Sequence, residues 1–239
     1  MRAAILTEQN KPLDIVDLEI PPLNVGQVLV QVKYSGICGK QIDEITGRRP
    51  DPFLPHLLGH EGGGIVEDVG AGVKKVKKGD HVVIHWMKGS GIDSEPPRFG
   101  NISAGWCTTF SEYTIASENR VTKIPNDVNL EVACLLGCAV TTGLGIVFNL
   151  ANLKPQQSIA VFGVGGVGIN VIQGAKMVNA YPIVAIEKIE HKEKLAKQMG
   201  ATHYGWHDGD KFDVTVDTTG IGSVRETAYN LAKSKCILA

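Results

Sequence analysis

The sequence predicts an α/β protein in two parts: an antiparallel, barrel-like β domain, then a parallel doubly wound sheet that stops before it is complete. Three observations carry that expectation. Short β-branched runs separated by Gly, Pro and Asp fill the first half. After about Asn129, helix-length apolar stretches alternate with strand-like runs, the rhythm of βαβ units. The last residues, Cys236-Ile237-Leu238-Ala239, read as a strand cut short, so the polypeptide is expected to be incomplete.

In chain order, residues 27–34, 64–69 and 80–85 are strands by their alternation and their turn-forming borders. Lys74, Lys75, Lys77 and Lys78 sit among Val73, Val76 and Gly79, which describes a solvated hairpin turn better than a nucleic-acid patch. Residues 88–105 carry Gly, Ser, Pro and Asp without periodicity and read as a functional lobe or arm. Residues 130–136 and 141–150 are expected helices, and 154–157 a connector. From Ser158 the pattern is strand 159–162, helix 166–178, strand 183–186, helix 191–199, strand 214–217 and helix 223–232. Residues 204–212 are short for a full crossover, so one helix is expected to be trimmed to a loop. The expected domains are 1–145 and 146–239.

Length and charge narrow the function. A chain of 239 residues can bury a sizeable core, and a net charge of -1 gives no electrostatic case for nucleic acid or an anionic membrane. No apolar run approaches the ~18 residues of a membrane span, and an acid at Glu8 comes too early for a signal peptide. A soluble, cytoplasmic protein is expected. Five scattered cysteines do not read as a disulfide framework.

Two constellations carry chemistry. Cys38, His60 and Cys138, each beside glycine, offer the thiolate and imidazole donors zinc prefers, with a fourth position left for water or substrate. Taken singly, each would be an ordinary buried side chain. Glu61 could orient that shell or enter it transiently; a buried salt bridge is the competing reading. The second constellation is Gly163-Val164-Gly165-Gly166-Val167-Gly168, between a strand and a helix, where backbone N–H groups can receive a pyrophosphate. Glu187 closes the next strand at about the ~20-residue spacing expected of a ribose-binding acid, which favours NAD over NADP. Lys192 is a second candidate for the ribose edge. A Lewis-acidic metal beside a nicotinamide points to hydride chemistry on an alcohol or carbonyl.

The motifs Gly36-Ile37-Cys38-Gly39, residues 55–64, Gly79-Asp80-His81-Val82, Phe110-Ser111-Glu112-Tyr113, residues 137–143, the glycine turn and residues 195–202 together resemble the zinc-containing medium-chain alcohol dehydrogenases. The resemblance covers essentially the whole chain. It implies a GroES-like β domain carrying zinc, a Rossmann domain carrying NAD(P), and a substrate cleft between them. It also implies that Cys38, His60 and Cys138 hold the zinc with Glu61 as alternating neighbour. Thr142 would lie near the nicotinamide, with Gly166 and Val167 at the pyrophosphate.

The departures are specific. Where many relatives carry four closely spaced cysteines for a structural zinc, residues 85–91 have none and only Cys107 follows, so one catalytic zinc and no structural zinc are expected. His85 and Trp86 either pack that lobe or face the cleft. Lys40 stands where the family usually has a proton-passing Ser or Thr, and Asp43 where many relatives have a relay histidine. Lys40 would act as a base only with a strongly depressed pKa; pairing with Asp43 or Glu44, or binding an acidic group, are its other readings. Relatives continue for roughly a hundred further residues by that resemblance, including much of their dimer surface, so homo-oligomerisation is left open. Lys40, Asp43, Arg48, Arg49 and the 88–103 loop hint at a polar, sugar-like or anionic substrate. The alternatives are a zinc-independent quinone or enone reductase of the same architecture, and a catalytically silent truncated chain.

Overall fold

The structure is a computed structural model that describes every residue except Arg49 and Asp208. Arg49, one of the cations weighed for the substrate, therefore lies outside the described residues. The chain divides into two compact units, Met1–Cys138 and Ala139–Ala239.

The first unit holds two five-stranded sheets. Its elements are β1 (Arg2–Leu6), β2 (Asp14–Asp17), β3 (Gln27–Ser35), α1 (Gly39–Ile45), β4 (His56–Leu57), β5 (Glu61–Val69), β6 (His81–His85), β7 (Arg98–Phe99), β8 (Ile102–Ser103), β9 (Tyr113–Ser117), β10 (Val121–Ile124) and α2 (Leu130–Ala133). The strand orders are β2-β1-β4-β8-β7 and β10-β6-β5-β3-β9. Pairing is antiparallel throughout except for the parallel contact of β4 with β8. Strand β3 explains why its sequence is apolar on both faces. Val28 and Val30 enter a core with Val66, Val82, Ile84 and Val121, while Leu29 packs on the other side against a core containing Ile5, Leu57 and Ile115. Each fully buried Val or Leu there contributes about 1.5–3 kcal/mol relative to exposure.

The loop expected over 88–105 contains the two-residue hairpin β7–β8, too short to leave a periodic signal in sequence. It is fastened by polar bonds: Ser94 N donates to Ser117 Oγ at 2.8 Å, and Gln27 Nε2 donates to the Glu95 carbonyl at 3.0 Å. Glu118, 3% exposed, accepts from the backbone N–H groups of Lys74, Lys75 and Ile92. Its carboxyl is raised by burial but brought net below the usual range by those three N–H bonds.

The second unit contains α3 (Ala139–Gly145), β11 (Ile159–Phe162), α4 (Gly166–Met177), β12 (Ile183–Ile186), α5 (Lys192–Met199), β13 (His203–Tyr204), β14 (Phe212–Asp217), α6 (Gly222–Leu231) and β15 (Ala232–Leu238). Its sheet is parallel with order β13-β12-β11-β14-β15, the 3-2-1-4-5 order of a dinucleotide fold. Both faces are covered, so β11 has no polar side. Ile159 and Val161 pack with Ala175 of α4 and Ala196 of α5, whereas Ala160 and Phe162 pack with Ala228 and Leu231 of α6. Among the described residues no helix separates β13 from β14, in line with the expected loop.

The two helices expected over 130–150 are more broken than the sequence suggests. Helix α2 tightens into a 3₁₀ turn at Cys134–Gly137, Cys138 leaves helical geometry, and α3 runs on into a π-helical turn at Ile146–Ala151. The interruption falls on Cys138, which its apolar surroundings gave no reason to expect. Helix α3 packs on α4, and residues 139–145 fall in the second unit. Among the described residues no single helix is long and apolar enough to cross a membrane.

The start of α4 sits unusually close to the end of β11. A Cβ on Gly168 would collide with the Gly163 carbonyl oxygen, while one on Gly165 would meet nothing within 4 Å. Gly168→Ala should therefore cost about 1–3 kcal/mol in urea denaturation, and Gly165→Ala should change stability by no more than about 0.5 kcal/mol. Equal midpoints for the two variants would contradict this packing.

Candidate metal and dinucleotide sites

The first site is built where three segments of the β unit meet. Cys38 caps the N-terminus of α1, His60 immediately precedes β5, and Cys138 sits at the break after the 3₁₀ turn. Their ligand atoms all lie within 4.8 Å of one another, with His60 Nε2 at 3.3 Å from Cys138 Sγ. Soft thiolate and imidazole donors at this spacing fit a zinc ion.

What holds the segments together is Glu61, only 2% exposed. Its carbonyl accepts from Gly36 N at 3.2 Å, Ser35 Oγ at 3.2 Å and Thr109 Oγ1 at 3.1 Å. Glu61 packs against glycines on either side: a Cβ on Gly36 would sit 2.6 Å from Glu61 Cδ, and one on Gly137 would collide with the Ile84 carbonyl oxygen and sit 2.8 Å from Glu61 Cβ. Segments carrying Cys38 and Cys138 thus close on the residue that follows His60. Glu61 itself is not part of the ligand-atom cluster.

Gln41 is the residue that sequence reading missed. It is 3% exposed, accepts from the Cys38 N–H at 3.2 Å and sets its Nε2 2.6 Å from His60 Nδ1. That leaves Nε2 of the imidazole turned toward the sulfurs, and it ties the first turn of α1 to His60. A signal was present, since Cys38-x-x-Gln41 has the spacing of a capping box.

Lys40 and Asp43 lie on the same helix with partners of their own. Lys40 Nζ pairs with Glu44 at 2.5 Å and Asp43 with Arg48 at 2.9 Å, with the Lys40 and Arg48 side chains substantially exposed. Of the readings weighed for Lys40, the pairing with Glu44 is the one this geometry contains. His85 and Trp86 divide: His85 Nδ1 and Nε2 reach the Met87 carbonyl at 2.7 Å and Thr122 Oγ1 at 3.0 Å, and burial lowers its pKa, while Trp86 stays 46% exposed.

The cluster makes Cys38 acidic. Hydrogen bonding from Cys138, then from His60, lowers its thiol from 9.0 to about 4 against the opposing effect of burial. Cys107, buried among apolar groups, is pushed up to about 12.

The second site lies wholly in the other unit. Gly165 precedes α4 and offers no side-chain cap, so among the described residues no cap from it occupies the first N–H groups of the helix, which can receive an anion. Thr218 Oγ1 braces the turn by donating to Phe162 O at 2.9 Å and Gly163 O at 3.2 Å. Glu187 is bound to the turn itself, accepting from Val164 N at 3.0 Å, and from Lys188 N at 2.8 Å and Lys192 Nζ at 3.1 Å. Burial raises its carboxyl, but these donors bring it net below the usual range. Lys192 is thereby committed to Glu187 rather than standing apart from it. Thr142 is half-buried on α3, beside Gly143, whose Cα approaches the Val167 carbonyl so closely that a Cβ would lie 2.7 Å away. Gly143 and Val167 thus meet across the α3–α4 contact, and a Cβ on Gly166 would lie 3.3 Å from Ala139 of α3.

Comparison with known proteins shows the family. Residues 24–126 match the family model "Alcohol dehydrogenase GroES-like domain", and residues 166–236 match "Zinc-binding dehydrogenase". An S-(hydroxymethyl)glutathione dehydrogenase of Synechocystis sp. is 39% identical, the alignment covering 92% of this chain and 69% of that one. Another of the same name from Photobacterium damsela subsp. piscicida is 38% identical over 84% and 62% of the respective chains. The chain therefore spans about two thirds of the length of these relatives. The crystal structure of benzyl alcohol dehydrogenase from Acinetobacter calcoaceticus superposes with a TM-score of 0.89 at 27% identity, covering 100% of this chain and 76% of that one.

The thiol chemistry is directly testable. In metal-free protein at pH 6, iodoacetamide should label Cys38 well ahead of Cys107, as read by peptide mass spectrometry. Because the folded chain then binds fewer protons than the unfolded one, the Cys38 thiolate favours folding increasingly as pH rises from about 4 toward 9. Preferential labelling of Cys107, or none of Cys38, would contradict the cluster.

Proposed function

The chain belongs to the zinc-containing medium-chain alcohol dehydrogenase family, and from that premise we propose that it transfers hydride between an alcohol or carbonyl compound and NAD(H). The observation that carries the proposal is the convergence of Cys38, His60 and Cys138 within 4.8 Å. Those three residues would hold a single zinc ion. Bound there, zinc supplies Lewis acidity, which acidifies an alcohol hydroxyl and polarises a carbonyl. Gln41 fixes the His60 ring through Nδ1, and Glu61 keeps the three segments closed around it. No second zinc is proposed, since a four-cysteine set is absent from the sequence and one sulfur cannot replace it.

The cofactor's pyrophosphate would sit on the N–H groups of the Gly163–Gly168 turn, with Gly165 leaving open space for its approach. NAD is preferred to NADP because the Glu187 carboxylate would meet a 2′-phosphate with like charge, though Lys192 partly offsets it. Thr142, Gly166 and Val167 would line the same cofactor. Lys40 and Asp43 are not assigned the proton transfer, because each is engaged at the helix surface. Five free thiols suit a reducing compartment, and the cytoplasm is the proposed location.

The test is NADH formation across aliphatic, aromatic and polyol alcohols with the full chain. Turnover with NAD exceeding that with NADP, and falling at least about 100-fold in His60→Ala, is the expected result. Turnover indifferent to His60→Ala and to chelators would indicate a zinc-independent reductase, and no turnover with any alcohol would overturn the proposal.

A further inference from the structure

A cavity of about 470 Å³ opens in the first unit, lined by Trp86, Met87, Lys88, Trp106, Cys107 and Arg120. None of these residues serves the metal cluster or the glycine turn. The two indoles are 46% and 41% exposed, although large aromatic rings are usually covered in a core. Arg120 is the reverse case, a cation only 5% exposed. Its Nη1 donates to the Trp86 carbonyl, and its guanidinium carbon lies 5.1 Å from the centre of the Trp106 ring. Its Nε has no hydrogen-bond partner among the described residues. Lys88 Nζ approaches the same ring at 5.7 Å and pairs with Asp93 at 2.5 Å.

We propose that this cavity binds a small ring-bearing carboxylate, its ring on the indoles and its carboxylate on the Arg120 guanidinium. Arg120 is hydrogen-bonded to a neutral carbonyl and, among the described residues, no carboxylate pairs with it, so a bound carboxylate supplies the counter-charge that a buried cation needs. The charges choose the anion. Lys88 and Arg120 contribute two positive groups and Asp93 one negative group, an excess that a monoanion matches and a phosphate dianion overshoots. The ring requirement follows from the walls, since indole faces stack equally on aromatic rings and on the apolar faces of sugars. The volume lies within the range of small-molecule sites, about 300–1,000 Å³. Cys107 adds a thiol that stays protonated and acts as an apolar wall. Nothing in this inference depends on the hydride reaction, and its test needs neither NAD nor turnover.

Two of the chain's three tryptophans line the cavity, so intrinsic fluorescence reports on it. The full chain would be titrated with benzoate, glucuronate, benzamide and inorganic phosphate. Saturable quenching by benzoate or glucuronate is expected, about tenfold tighter than benzamide or phosphate, and the better of the two acids identifies an aromatic or a sugar acid as the source. Arg120→Gln should weaken that binding about tenfold, and Lys88→Gln, at an exposed position that leaves folding intact, should weaken it a few-fold. Trp206→Phe should leave the quenching in place. Equal binding of benzoate and benzamide, equal binding of phosphate, absence of saturation, or unchanged affinity in the variants would each overturn the proposal. Should Arg120→Gln fail to fold, Lys88→Gln with the salt dependence of binding decides it.

Discussion

The architecture of the metal cluster depends on one buried residue and the two glycines beside it. Glu61 occupies space that would hold a Cβ at Gly36 on one side and at Gly137 on the other. A larger residue at Gly137 would meet the Ile84 carbonyl oxygen as well as Glu61 and would displace the segment that carries Cys138, whereas one at Gly36 would meet the end of the Glu61 side chain and displace that first. A site that tolerates errors of about 0.5 Å is sensitive to both. The same residue anchors the backbone, because its carbonyl gathers the N–H of Gly36 and two hydroxyls, and its register partner on β6 is His85. Close packing here serves geometry more than stability.

The second unit applies the same economy to an anion site. Gly168 lets α4 begin against the end of β11, Thr218 braces the turn from β14, and Glu187 reaches back from β12 to the Val164 N–H. Three successive strands of the parallel sheet therefore converge on one turn. That is the reason ligands of such sheets gather at the carboxyl ends of the strands. These hydrogen bonds brace the glycine turn within the chain itself, which lowers the ordering entropy that opposes binding.

Much of this was legible in the sequence, and the reasons differ by element. The strands and helices from Ile159 onward were readable because a sheet buried on both faces needs continuous apolar runs, and helices between them show their own period. The three candidate ligands that the structure brings together were readable because zinc restricts its donors to few residue types. Gln41 showed only the capping-box spacing with Cys38; its amide contact with His60, 19 residues on, leaves no signature in the sequence. The β7–β8 hairpin escaped because two-residue strands carry no periodicity. Lys40 and Asp43 stood out by position along the chain, yet their partners lie on or just past the same helix, and only the structure decides which pairing forms. Arg120 offered no signal at all: a lone arginine becomes notable only when burial and a missing acceptor are seen together.

Both the cluster and the fold assignment lead to one quantity, the zinc bound per chain. Elemental analysis of the purified protein before any metal is added should find about one zinc per chain, lost in Cys38→Ser and in Cys138→Ser while circular dichroism stays native. About two zinc ions would contradict the single-site account, and none, even after soaking in zinc, would contradict the cluster as a metal site altogether.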